Sequence, residues 1–260
     1  MKKTILITLF MMGILLQTKA NSPTSTEEQF RDSIFQVINS ETNDTLRSKI
    51  LRGAFQQYIG QEAALEYLDS ALVLSKRKGM HEEELYTLFD YCRHYEYRGE
   101  ASEMEQYLLK LKEAAYRYKD YSLYYTVWLG MLQMRCAQGD TEYAIMQAKE
   151  MRKEAIRIKY ESGAFVSLIA LAQALNFAEQ YDEAIQTYKQ TLEENPNANE
   201  YSLLLIHGNL AKIYMEQEKY TEGLSELEQQ EKVLKKMQEK GPQVINTLKS
   251  TFLETEIPFG

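Results

Sequence analysis

Proline is scarce in this chain, four in 260 residues, and so are cysteine, with two, and tryptophan, with one. Few prolines leave long stretches free to run as uninterrupted helix. Two cysteines are too few for the disulfide framework of a small secreted domain, and Cys92 and Cys136 are expected as buried free thiols. Positive charge is also short: 30 Lys and Arg stand against 38 Asp and Glu, a net charge of −8, which makes nucleic acid a poor partner. Long apolar runs are missing but for one, Ile5 to Leu16, and that one falls below the ~20 residues a membrane-spanning helix needs.

That run follows Lys2 and Lys3 and ends in the small-residue exit Thr18-Lys19-Ala20, the build of a secretory signal peptide over residues 1–20. Cleavage after Ala20 would remove three lysines and leave the product more acidic still. No cysteine near the cut provides for a lipid anchor. The expectation is an exported, soluble product without stable membrane insertion, periplasmic in the first instance and extracellular in the second.

Motifs that carry chemistry are lacking too. Neither Gly-x-Gly-x-x-Gly nor Gly-x-x-x-x-Gly-Lys occurs, so no phosphate cradle is encoded. His81-Glu82-Glu83-Glu84 lacks the second histidine four residues on that a zinc-binding helix needs, and reads as an acidic helix start that complements the helix dipole. Cys92 and His94 are two residues apart on one helix and point to different faces. His207 could approach a thiol only through the fold, and no oxyanion-type loop accompanies either cysteine. No catalytic residue, metal ligand or cofactor is assigned.

What the chain does have is a repeat. From Ala184, steps of forty residues back reach Ala144, Met104 and Ala64, and thirty-nine forward reach Gly223. The same register aligns Leu51, Tyr91, Met131, Leu171 and Leu210 in one helix of each unit, and one turn later Phe55, Tyr95, Arg135, Leu175 and Tyr214. In the second helix Leu68, Leu108, Ala148, Tyr188 and Leu227 follow four residues after the anchor. Reversals within units fall at Gly60, Gly99 and Gly139, and in the last two units at Tyr181 and Tyr220. Stops between units are read at Gly79, Gly163, Asn195-Pro196-Asn197 and Gly241-Pro242.

The fourth unit, residues 165–198, resembles a tetratricopeptide (TPR) repeat, with Leu168, Leu171, Ala172, Leu175, Tyr181, Ala184, Tyr188 and Pro196 in the places of that pattern. The fifth keeps Leu210, Ala211, Tyr214 and Tyr220 but has Gly223 where the family prefers alanine. The family repeat is about 34 residues, so a spacing of 39–40 looks like a long-helix variant. The resemblance implies an all-α, right-handed α-solenoid of about five antiparallel helical hairpins over residues 45–240. An N-terminal capping helix would lie within 21–44, with Phe30, Ile34, Phe35 and Ile38 on one side. Residues 241–260 would be a C-terminal cap or a truncated sixth hairpin, with Val244, Ile245, Leu248 and Phe252 apolar.

The resemblance also implies an inner groove lined by the first helices, here Tyr86, Phe89, Arg93 and Tyr97, then Gln133, then Gln173, Asn176 and Phe177, then Lys212. Aromatics, amides and two cations suit an extended peptide or a partly charged ligand. Nineteen tyrosines, dense between Tyr86 and Tyr125, either staple long helices together or add surplus rings to that surface. Trp128 is read as core. The function expected first is a scaffold that binds a protein or peptide segment, without catalysis. The alternatives are the extracytoplasmic sensing portion of a signalling protein and a glycan-binding protein.

Overall fold

The computed structural model describes residues 23–239, with side chains from residue 29 onward. Over that range the chain is all-α: α1 Pro23–Ser40, α2 Asp44–Gln57, α3 Ala63–Lys78, α4 His81–Arg98, α5 Ala101–Arg117, α6 Tyr121–Ala137, α7 Thr141–Arg157, α8 Glu161–Phe177, α9 Tyr181–Glu194, α10 Glu200–Glu216 and α11 Tyr220–Glu239. The signal-peptide reading and the C-terminal cap or sixth hairpin expected over 241–260 lie outside the described residues. Among the described residues no helix is long and apolar enough to cross a membrane.

The helices start and stop for local reasons. Asn43, Asp120 and Asn199 cap α2, α6 and α10 by accepting the backbone N–H of Leu46, Leu123 and Ser202. Helix ends close on a left-handed residue whose successor donates its N–H back across the last turn, as Met80 does to the Ser75 carbonyl, Glu100 to Tyr95, Asp120 to Ala115 and Gln180 to Leu175. Glycine fills the left-handed position at Gly79, Gly99 and Gly139, as the sequence suggests. At the ends of α5, α7, α8 and α10 it is filled by Lys119, Lys159, Glu179 and Glu218, at φ of 57–61°. The stop before α8 is therefore Lys159, and the reading of Gly163 as a stop is corrected. Gly163 is a buried residue inside α8, where a Cβ would come within 2.8 Å of the Tyr125 ring and 2.6 Å of Tyr160. It is glycine because helices approach closely there.

By internal contacts the chain forms two compact units, Met1–Tyr107 and Leu108–Gly260. In the first, α2 packs on α1, α3 and α4, and α3 on α4. Its core is Ile34 and Ile38 from α1, Leu51, Ala54 and Phe55 from α2, and Tyr67, Leu68 and Ala71 from α3, closed by Tyr91. Phe35 stacks on Tyr67 and Phe30 tilts against Tyr58, so α1 covers the first hairpin with the four residues its pattern marks.

In the second unit α6 packs on α7 and α8, α8 on α7 and α9, and α10 on α9 and α11. The first helices α6 and α8 therefore touch one another as well as their own hairpin partners. The register is recovered at its anchors: Ala64, Ala144 and Ala184 are fully buried, and Met104 and Gly223 are buried. Leu68, Leu108, Ala148 and Tyr188 are fully buried one turn later, each large side chain contributing about 1.5–3 kcal/mol of apolar burial. Four expectations fail. Tyr95 is only half-buried, stacked against Tyr107. Met131 and Leu171 are only half-buried, because Gly130 and Leu132, and Ala170 and Ala172, hold the innermost places of their helices. Leu227 is exposed, since no described element packs on that face of α11.

Candidate functional site

On the first helices of the unit Met1–Tyr107, side chains of α2 and α4 form one polar network. Arg52 is its centre. Its Nε donates to Asp90 Oδ2 at 2.5 Å, its Nη1 lies 3.7 Å from Glu83 Oε2, and its guanidinium sits 4.8 Å above the Tyr86 ring. Glu83 and Asp90 are seven residues apart, two turns along one face of α4, which is why one arginine reaches both. Lys49 adds a second cation 3.9 Å from Glu83. Gln56 donates to Asp90 Oδ1 and accepts from Arg93 Nη1, both at 3.3 Å, and Arg93 lies 3.6 Å from the same carboxylate. Asp90 is 1% exposed, and burial raises its pKa against the opposing pull of Arg52 and Arg93.

The acidic start of α4 thus does more than complement a helix dipole. Glu83 and Glu84 are both buried, and Glu83 is held by cations of the preceding first helix. Arg52 and Lys49 supply the counter-charge that allows Glu83 to be buried.

At the other end of α4, His94 is fully buried and its Nδ1 accepts the backbone N–H of Gly60 at 3.3 Å. Gly60 is at φ 81°, and a Cβ there would collide with the Tyr97 ring. The first hairpin turn is thereby tied to α4, and Tyr97, 73% exposed, rests one face on it. Burial, and then Arg98, lower the His94 pKa from its ordinary value near 6.5, while Glu100 and Glu62 oppose. The unfolded chain therefore takes up this proton first, so the contribution of His94 to stability is present above about pH 6.5 and is lost as pH falls below it. Urea titrations from pH 7.5 to 5 should show unfolding free energy declining with acid in the parent protein and a shallower decline in His94→Gln. Identical slopes would refute this role.

The four groove residues expected in this unit stand along that face: Tyr86 and Tyr97 exposed, Phe89 and Arg93 half-buried. In the second unit Gln133 Nε2 donates to Gln173 Oε1 at 3.0 Å, joining α6 to α8. Asn176 is half-buried with its Oδ1 shielded and lacking a donor, Phe177 is 52% exposed, and Lys212 lies 3.8 Å from Glu216. Arg93, Gln133, Gln173 and Lys212 occupy one position of the repeat, at steps of 40, 40 and 39 residues.

Sequence reasoning missed Arg52, Gln56, Glu83 and Asp90. A signal was available: Gln56 stands three whole periods before Asn176. Extending the groove positions into the first unit would have found it.

Other candidates resolve as structure. Cys92 and Cys136 are buried free thiols, and burial pushes both pKa values up, Cys136 to about 11, far from a reactive thiolate. His207 Nδ1 meets Glu226 at 2.7 Å rather than a thiol. Trp128 is buried, with the Lys112 ammonium 3.6 Å above its ring, and burial pulls the Lys112 pKa down to about 8. Most of the tyrosine cluster staples helices: Tyr107 stacks on Tyr91 and Tyr95, and Tyr125 packs among Tyr124, Trp128 and Tyr160. Tyr86, Tyr97 and Tyr116 remain exposed.

Helical hairpins in register, small anchors in the second helices and first helices packed on one another define an all-α repeat protein of the α-solenoid class, TPR-like in its fold. Solved structures agree. The nearly identical TPR-like repeats of a kinesin light chain-type protein from Podosopora anserina superpose with a TM-score of 0.51 at 19% identity, covering 75% of this chain and 97% of that one. A Q17M form of the same repeats gives 0.52 at 19% identity, covering 76% and 99%. No protein-family model and no curated protein matches the chain.

Proposed function

We propose that this protein is a non-catalytic scaffold whose first helices bind an extended segment of a partner protein. The observation that carries the reading is the network around Arg52 and Asp90, which fixes Arg93 and Tyr86 on a buried base while leaving them partly open to solvent. Side chains ordered before binding lose less freedom when a ligand arrives. In the first unit Arg93 suits an acidic side chain and Tyr86 and Tyr97 suit apolar ones; in the second, taken by itself, the amides of Gln133, Gln173 and Asn176 suit a peptide backbone and Phe177 an apolar side chain. The TPR-like fold of the neighbours supports a protein partner. The basic, apolar and small-residue order of residues 1–20 supports export, with the periplasm as the first location.

Affinity capture from the cell envelope with tagged residues 21–260, beside the Arg93→Ala/Tyr97→Ala double variant, tests the assignment. A protein retained by the parent should be lost from the variant while helical circular dichroism is unchanged. Equal capture by both would overturn the groove.

A further inference from the structure

The unit Met1–Tyr107 also holds a cleft of about 380 Å³ among α1, α2 and α3. It is apart from the α2–α4 network. Its wall is apolar: Phe35 and Ile38 from α1, Leu51 from α2, and Val73 and Leu74 from α3. Val73 is 64% exposed, an aliphatic side chain facing water at the edge of a concave surface.

Two arginines stand in this lining, Arg47 and Arg77. Arg47 is half-buried and gives Nη1 to Asp44 Oδ1 at 3.1 Å, but its Nε is buried without an acceptor. Arg77 is exposed and has no ion-pair partner among the described residues. The one carboxylate of the lining, Asp69, already accepts the Tyr91 hydroxyl. An apolar wall beside two guanidinium groups, that of Arg77 exposed and without an ion pair among the described residues, calls for a ligand of the opposite sign at one end and hydrocarbon along the rest.

The volume narrows the choice. At about 380 Å³ the cleft is the size of a small-ligand site. A peptide would bring a backbone donor and acceptor with every residue, yet besides the arginines and the engaged Asp69 the lining offers only Asn39 and Ser70. We propose that the cleft binds a medium-chain aliphatic carboxylate, its head held by Arg47 and Arg77 and its chain laid on Phe35, Ile38, Leu51 and Leu74. This site is independent of the partner-binding face.

Decanoate is the probe, titrated calorimetrically into the full chain beside decanol, which has the same tail without the charge. One saturable site is expected for decanoate, with decanol at least ten-fold weaker. Arg77→Glu should weaken decanoate at least ten-fold, and Val73→Trp should block it by filling the cleft. Both positions are exposed, so the thermal melts should match the parent, and either variant alone suffices if the other fails to fold. No saturable decanoate binding, equal binding of decanol, or undiminished binding by a folded variant would each overturn the proposal.

Discussion

Replacing Arg52 by methionine should cost the fold about 3–5 kcal/mol at neutral pH, because it leaves the Asp90 carboxylate, together with Glu83, buried beside α2 without its main counter-charge. Methionine keeps most of the side-chain volume, so the loss reports charge rather than a cavity. Lys49 and Arg93 remain near the two carboxylates, and both are more exposed than Arg52, which limits how far they compensate. Asp90 then escapes by holding its proton. Burial already raises its folded pKa above its ordinary value, and loss of Arg52 raises it further. A carboxyl whose folded pKa exceeds its unfolded one stabilises fully below the unfolded value and loses that contribution as pH rises through the folded one. The gap between parent and variant should therefore be smallest near pH 4 and widen toward neutrality. Urea unfolding at both pH values checks it. The double variant Arg52→Met/Asp90→Leu should recover part of the loss, because it removes both charges at once. Additive losses would show that the two residues do not act as a pair.

The second large effect is expected at the repeat anchor. Ala184 is fully buried in the core that α8, α9 and α10 build from Ile169, Leu175, Tyr188, Ile206 and Leu210. A leucine there has to displace side chains already in contact, at about 1–3 kcal/mol. For a chain of this length each kcal/mol lowers the melting temperature by roughly 2–4 °C. A thermal melt of Ala184→Leu followed by circular dichroism measures the drop. An unchanged melt would mean that the anchor does not mark the closest helix approach. Gly223, the same position one unit later, is also closely approached: a Cβ there would meet the Met215 side chain at 3.2–3.3 Å and the Ala211 carbonyl at 3.4 Å.

How far the sequence carries the reader depends on whether a feature is periodic. The anchors, the apolar stripes and the α1 cover are legible because each repeats a residue class at helical spacing, and burial obeys that spacing. Gly163 was misread because glycine serves two ends, left-handed backbone and close approach, and a single sequence does not separate them. Only the Tyr125 ring beside it does. The network of Arg52, Glu83 and Asp90 was illegible for a different reason. Charged residues on helices are ordinarily solvated, so their burial becomes visible only when the partner helix, 31 and 38 residues further on, brings the opposite charge. Tyr86, Phe89, Arg93 and Tyr97 were reached through the resemblance, and composition alone would not have separated them from the many tyrosines that simply pack.

Four of the left-handed helix ends are occupied by Lys119, Lys159, Glu179 and Glu218, a conformation that disfavours any side chain by about 1–2 kcal/mol. What holds these corners is the pair of backbone hydrogen bonds that closes each helix, and backbone is the same whatever the residue. A corner secured in this way does not depend on its glycine. Descendants of such a hairpin can exchange the most recognisable letter of the turn and still bend in the same place, so the architecture can outlive the sequence signature that once announced it.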